Sequence, residues 1–391
     1  MNQDMDDFVT PECELLGLGE PTHQEPAFGW VRNELFARLA VDRGFRSIAL
    51  ETDRVAAFAV DAYVREGVGT FESVMAEGFT HGFGGLAPNR RLVAWMREFN
   101  RERPPGERLA FHGFDIPTET TSAPSPRSYL QGARDYLGLD LDLDLGLNLA
   151  AVADEDERWS REESVMDPAR SPGGTADAVR LRCIADDLLL QLHMRAPRLI
   201  ASTSLAEWYA ARTRLAAGIG LLRYHAQSAV PGLSQGARVG ALSGVRDALM
   251  AQNLLDIREI EERRGPTLLF THNLHAQRNP SSWTLGDLHC EWTSAGHIVG
   301  ALLGERYAFV AGSLGRSEAI GLAEPAPGTY EGHLRRSGGI WALTAPDVPA
   351  EARARTDTVP RQGYFPLDRE ILDGAVALLH IADGAVVPAG D

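Results

Sequence analysis

The feature that most constrains this chain is an alternation that begins close to its start. An apolar run, Cys13-Glu14-Leu15-Leu16-Gly17-Leu18, reads as a short buried strand, and the glycine and proline of Gly19-Glu20-Pro21 then force a turn. Over residues 25–43 the apolar side chains Phe28, Val31, Leu35 and Leu39 recur at the i, i+3/i+4 spacing of an amphipathic helix, which Gly44 closes. Ser47-Ile48-Ala49-Leu50-Glu51 reads as a second buried strand, ending in a carboxylate. Strand, helix and strand in so short a stretch make a βαβ unit, because parallel strands need a crossover where a tight hairpin would reverse direction. The expected class is therefore α/β, with a mostly parallel sheet flanked by helices.

The rest of the chain extends this pattern and interrupts it once. Residues 54–65 and 88–103 read as helices, and Leu109-Ala110-Phe111-His112-Gly113-Phe114-Asp115 as a third strand that again ends in an acid. Thr267-Leu268-Leu269-Phe270-Thr271 is a fourth, Tyr307-Ala308-Phe309-Val310-Ala311 a fifth and Ile340-Trp341-Ala342-Leu343 a sixth. Between the third and fourth, the βα alternation stops. Residues 177–193, 205–227 and 244–263 instead carry long runs of helical period, enough for an inserted helical subdomain over the C-terminal edge of the strands. The expected division is residues 1–136 as the first part of the core, 137–262 as the helical subdomain and 263–391 as the second part of the core. Within the insertion, residues 137–176 carry Asp154-Glu155-Asp156-Glu157 and Ser171-Pro172-Gly173-Gly174 and read as an acidic, lid-like loop. The Leu-Asp alternation at 139–145 is taken as part of that loop rather than as a strand edge. No internal repeat is visible.

Composition excludes several classes of function. The formal net charge is -16 and no long basic window occurs, which argues against a nucleic-acid partner. All 38 basic residues are arginine, so neither a Schiff-base lysine nor a P-loop lysine is available. The acidic start Met1-Asn2-Gln3-Asp4-Met5-Asp6-Asp7 is followed by no apolar core of the secretory kind, and no apolar run is long enough to span a bilayer. Cys13, Cys183 and Cys290 are odd in number and far apart, unlike a disulfide framework or a cysteine zinc site. These readings point to a soluble, cytoplasmic protein. They leave its oligomeric state open.

The chemistry-bearing residues gather at strand ends. Glu20 and His23 sit on the first turn, Glu51 ends the second strand, Asp115 ends the third, and His272 and His275 follow the fourth. In a parallel sheet these ends share one edge, where ligands bind, so the groups are expected to converge on one cleft. Imidazoles beside carboxylates suit general acid/base work near neutral pH, the carboxylate fixing the tautomer and raising basicity. Arg32, on the following helix, reaches such a cleft only if its side chain points back toward the sheet edge. His81, in Thr80-His81-Gly82-Phe83, and His112 are weaker candidates, competing with ordinary loop and core histidines. Arg246-Asp247 sits on a helical stretch and competes with a solvated helix face, with Tyr224 and Trp208 as companions for a binding pocket.

No Gly-x-Ser-x-Gly nucleophile elbow and no dinucleotide or Walker loop is read in the chain, which leaves water activation by a protein base or by a metal. Glu-x-x-His and His-x-x-His supply ligand types that zinc accepts, but both lie on turns, where such spacing guarantees no shared face. No bound metal and no cofactor are expected.

Taken in order, Gly19-Glu20-Pro21-Thr22-His23, Arg32, Ala49-Leu50-Glu51, Gly113-Phe114-Asp115, Arg246-Asp247 with Met250, and Thr271-His272-Asn273-Leu274-His275 resemble the ordered motifs of the erythromycin esterase family. The resemblance runs from about residue 12 to about residue 315 and is weakest over 139–176. It implies an α/β core with a helical subdomain and metal-independent hydrolysis of a carboxylic ester, such as the macrolactone of a macrolide antibiotic. By this resemblance His23 is the general base toward water, Glu20 and Glu51 orient and polarise it, and His272, His275 and Arg32 position the ester or stabilise the oxyanion. Gln24, Asp115, His81, Arg246 and Tyr224 are expected on the substrate. Gln24 replaces the glycine that commonly follows the motif histidine in the family, directly beside the base. Two other readings share this framework: an enzyme of secondary metabolism that uses the same base for a non-hydrolytic step, and a protein that binds a drug without turnover.

Overall fold

The computed structural model describes residues 5–119, 121–139, 156–335 and 339–386. Its strands are β1 (Leu15–Glu20), β2 (Ser47–Asp53), β3 (Ala110–Asp115), β4 (Thr267–His272), β5 (Ser281–Leu285), β6 (Leu288–Trp292), β7 (Tyr307–Arg316), β8 (Trp341–Thr344) and β9 (Ala377–Asp383). Seven of them form one sheet in the order β3-β2-β4-β1-β7-β9-β8, and β5 with β6 makes a separate hairpin. Pairing is parallel from β2 through β4, β1 and β7 to β9. β8, at the edge of the sheet, runs antiparallel to its neighbour. The α/β class with a mostly parallel sheet is thus the one the alternation implies.

Every residue of β1, β2 and β4 is buried, as expected of strands covered on both faces. Successive side chains feed two separate cores. Leu16, Leu268 and Ala308 point to one, packed with Phe28, Leu35 and Phe36 of the helix Ala27–Asp42. Leu15, Leu269 and Phe309 point to the other, with Leu254, Val299 and Ile371.

Several elements differ in extent from the sequence reading. β1 starts two residues later than the apolar run and continues through Gly19 and Glu20, because its ladder with β4 persists to the pair Glu20↔His272. β2 runs past Glu51 to Asp53. β7 continues beyond Ala311 through Gly312 and Gly315, and the glycines hide that half from a hydrophobic scan. β9 and the β5–β6 hairpin were not anticipated. His380 interrupts the apolar run of β9, and the hairpin strands are short and half polar.

The chain divides into two compact units, one of Met1–Glu51, Ala56–Phe114 and Met250–Asp391, the other of Thr52–Val55 and Asp115–Leu249. The first holds the sheet. The second is built from helices, including Arg127–Leu137, Ala176–Met194 and Leu205–Ser228. Thr175 caps the second of these by accepting the Ala178 N–H, and Ser204 caps the third by accepting that of Glu207. The described part of the expected acidic loop is not open chain. It forms the helices Asp156–Ser160 and Glu162–Met166, with Trp159 buried edge-on against His225 at 4.9 Å. A Cβ on Gly173 would lie 2.0 Å from the His225 carbonyl oxygen, so this stretch packs directly on a helix backbone. Its charges and Gly-Pro content drew the loop reading, while Trp159 and Val165 supply the apolar anchors that fold it. The Leu-Asp run at 140–145 lies outside the described residues. Among the described residues no helix is long and apolar enough to cross a membrane. Cys13 and Cys290 are buried free thiols and Cys183 is an exposed one.

Candidate active site

Three adjacent strands deliver the site. β1 ends on Glu20, β2 carries Glu51, and β4 ends on His272, the register partner of Glu20. The turn after β1 is pinned by local bonds: the Gln24 N–H donates to Thr22 Oγ1 at 3.2 Å, the Ala27 N–H to Glu25 Oε1 at 3.0 Å, and the Phe365 N–H to the Pro21 carbonyl at 2.9 Å. That places His23 between two carboxylates. Its Nδ1 lies 2.8 Å from Glu20 Oε1 and its Nε2 3.7 Å from Glu51 Oε2. The His23 side chain is 33% exposed, against 9% for Glu20 and 6% for Glu51. The imidazole is therefore the part of this cluster that solvent or substrate meets.

Glu51 ties the strands together. Its Oε2 accepts the Thr271 hydroxyl at 2.6 Å and the His272 backbone N–H at 3.2 Å, while Oε1 faces His275 Nε2 at 3.5 Å. His272 is held neutral. Its Nδ1 accepts the Leu274 N–H at 3.2 Å, which puts the ring hydrogen on Nε2. Burial, reinforced by His23 and His275, pushes its pKa down to about 3. The His272 ring stands 5.3 Å from that of His23 and 5.0 Å from Phe365.

Arg32 does point back toward the sheet. It is 1% exposed, with Nη1 donating to Asn89 Oδ1 at 2.8 Å, Nη2 to Asn33 Oδ1 at 2.7 Å, and its guanidinium carbon 4.7 Å from the Phe270 ring centroid. Burial lowers its pKa to about 10, which leaves it a cation at neutral pH. Burial raises the pKa of Glu20, and His23 and Arg32 offset only part of that. Arg32 is thus a fixed counter-charge to Glu20. Arg32→Met is expected to let Glu20 hold its proton to higher pH, so that a pH profile of turnover loses activity at pH 6 several-fold more than at pH 8.5; an unchanged acid limb would show that the guanidinium does not govern Glu20.

Glu20, His23, Arg32 and Glu51 line one pocket, walled by Pro26, Leu50, Phe83, Leu86, Pro88 and Phe270. The Phe83 ring lies tilted 5.2 Å from that of His23, and the His81 ring 5.5 Å from Phe83. His81 has φ of 58°, the one non-glycine residue in the left-handed region among the described residues. Phe83, Asn89 and Phe365 were not singled out from the sequence. Asn89 follows a helix-opening Pro88, Phe83 opens the three-residue 3-10 helix Phe83–Gly85 and Phe365 sits in a loop, positions with no periodicity to mark them.

The other expected binding residues are placed as follows. Gln24 is exposed, and its amide lies over Gly363, where a Cβ would come within 2.7 Å of Nε2. Asp115, Arg246 and Tyr224 belong to the second unit, where Arg246 forks onto the buried Asp115, with Nε 3.0 Å from Oδ1 and Nη2 on Oδ2. Tyr224 feels both charges and its pKa is raised, chiefly by burial. His112 pairs with Glu261 at 2.9 Å, a structural role. One string with Gly-x-Ser-x-Gly spacing does occur, Gly232-Leu233-Ser234-Gln235-Gly236, and corrects the reading that the chain has none. It joins two helices instead of a strand and a helix, and the exposed Ser234 accepts the Ala237 N–H at 3.3 Å, so it is no nucleophile elbow. Among the described residues no group of three His, Cys, Asp or Glu side chains is arranged to hold a metal ion.

The model of the family described as erythromycin esterase matches residues 41–385. The chain belongs to the erythromycin esterase family. The match begins beyond Glu20, His23 and Arg32, so the case for those three rests on geometry. No curated protein matches. Among solved structures, the chain is similar to a variant of the erythromycin esterase EreC in its open conformation, with a TM-score of 0.68 and 18% identity over 97% of this chain and 92% of that one. It is equally similar to a Bacillus cereus protein, with a TM-score of 0.68 and 15% identity over 97% and 90% of the two chains. A succinoglycan biosynthesis protein matches with a TM-score of 0.62 and 15% identity over 95% and 88%. At such identities the likeness is one of fold. Family membership makes this an esterase-like protein of the hydrolase type.

Proposed function

We propose that this protein is a cytoplasmic, metal-independent hydrolase that cleaves the carboxylic ester of a bulky natural product, a macrolactone being the leading candidate, with His23 as general base. The observation that carries the reading is the 2.8 Å bond between His23 Nδ1 and Glu20 Oε1. A carboxylate there accepts the Nδ1 hydrogen and leaves the Nε2 lone pair directed toward Glu51 Oε2, 3.7 Å away. The nucleophile this reading requires is a water that donates one hydrogen toward Nε2 and the other toward the Glu51 carboxylate. In this geometry Nε2 removes a proton as the water oxygen attacks the ester carbonyl, and Glu20 stabilises the imidazolium that forms.

His275 and the neutral His272 bring N–H groups beside the base, the chemistry needed for an oxyanion. The apolar walls from Phe83, Leu86, Pro88 and Phe270 suit a large, weakly polar substrate. The -16 formal charge and the lack of a long basic window support a small-molecule partner over nucleic acid.

Turnover of a macrolactone in isotopically labelled water tests the reaction. Hydrolysis places one labelled oxygen in the product carboxylate. Product without label would instead assign the same base to a cyclisation, elimination or acyl transfer, and stoichiometric binding without product would make the protein a sequestering one.

A further inference from the structure

β1 and β7 remain hydrogen-bonded partners only as far as Leu18↔Val310. Beyond that pair β1 still runs beside β4, through Gly19↔Thr271 and Glu20↔His272, and β7 still runs beside β9, through Gly312↔Leu379. The β1–β7 ladder stops at this line. The Asn273 side chain packs against both strands at this point. Its Nδ2 donates to the Gly312 carbonyl at 2.8 Å, and the Gly312 N–H donates to its Oδ1 at 2.9 Å. A carboxamide presents the same donor and acceptor pair as a peptide group, so Asn273 completes for Gly312 the ladder that β1 abandons. Two glycines make the space. A Cβ on Gly19 would lie 2.1 Å from Asn273 Oδ1, and one on Gly312 would lie 2.3 Å from the Gly19 carbonyl oxygen.

Asn273 opens the one-turn helix Asn273–Ala276, with His272 as its cap on one side and His275 inside it. Anchoring Asn273 to β7 therefore sets where both imidazoles stand against Glu51 and His23. We propose that Asn273 is a positioning residue of the site: its carboxamide serves as a surrogate strand that locks the His272–His275 turn to Gly312, beside the end of β1 where Glu20 and His23 project. It acts through His272 and His275 and not on the substrate. The inference rests on the reading of this cluster as a hydrolytic site.

The test compares Asn273→Ala, Gly19→Ala and the double variant by two readouts, ester turnover and the NMR titration of the His272 and His275 rings in the ligand-free protein. Each single change is expected to lower kcat by about 100-fold with KM changed by less than about 3-fold, the cost of a misplaced catalytic group. Both variants shift the His275 titration in the same direction. The double variant is no worse than the poorer single, since both changes break one contact. Additive losses, or a His275 titration unmoved by Asn273→Ala, overturn the proposal. If the wild-type protein hydrolyses no ester, the hydrolase reading fails and the ring titrations still decide the role of Asn273. Should Asn273→Ala not fold, Asn273→Ser takes its place, and Gly19→Ala tests the same contact with Asn273 retained.

Discussion

His23→Asn is expected to lower kcat for ester hydrolysis by about 10²–10⁴-fold, the usual contribution of a positioned general base. The substitution is a fair one, because an asparagine amide reproduces a donor near the Nδ1 position, 2.8 Å from Glu20, while removing the basic Nε2. Stability should change little, since His23 is a third exposed. KM should stay nearly constant, because the lost interaction is made to water in the transition state and not to the bound ester. Glu20→Gln should cost less, as it leaves the base in place and removes only the charge that supports its imidazolium. Steady-state kinetics on purified variants, with thermal melts to confirm the fold, check both. A loss below about 10-fold for His23→Asn would move the role of base to another residue.

The second large effect is on acid stability. Burial holds His272 at a pKa of about 3 and His225 and His380 at about 4, against 6.5 for an ordinary imidazole. Each is buried, and its surroundings replace only part of the hydration that a charged ring would lose. Their pKa values are lower folded than unfolded, so above pH 6.5 they cost nothing. As pH falls below that value the unfolded chain takes up protons that the folded chain refuses, and stability drains away until the folded pKa is reached. Each imidazole then contributes a loss on the order of 3 kcal/mol by pH 4. Folded domains hold only about 5–15 kcal/mol in reserve. Glu20, Glu331 and Asp368, whose pKa values burial raises, act in the opposite sense and return part of the loss at the acid end. The steepest fall in melting temperature is therefore expected between about pH 6 and 4.5. Melts followed by circular dichroism from pH 8 to 4 check it, and His225→Phe should show a shallower dependence than wild type. A melting temperature flat to pH 5 would contradict the burial argument.

Which parts of this molecule could be read from its sequence follows from where periodic signals exist. Apolar runs such as Leu15-Leu16 and Leu268-Leu269-Phe270 announce central strands because both faces of the sheet are covered, and the helices over 27–42 and 87–100 announce themselves by their spacing. Glu20, His23, Glu51, His272 and His275 were legible as a group because parallel strands end on one edge. Their order along the chain already carries that geometry. The bonds that make the group work were not legible. Nothing in the sequence says that Glu51 joins Thr271 to His275, or that the Asn273 amide stands in for a strand. Phe83 reaches His23 from a single 3-10 turn, where contact depends on a backbone path and no residue pattern encodes it. The acidic stretch over 156–174 misled because surface charge was visible while the few buried anchors, Trp159 and Val165, were sparse.

The pairing of Glu20 with His272 as register partners has one last consequence. In a sheet with two covered faces, a slip of one residue between β1 and β4 turns every side chain of the moved strand to the wrong face. The same slip separates the carboxylate from its imidazole neighbours. A one-residue slip of this sheet therefore loses its packing and its carboxylate–imidazole cluster together, so chains in that register are expected to be unstable as well as to lack the cluster.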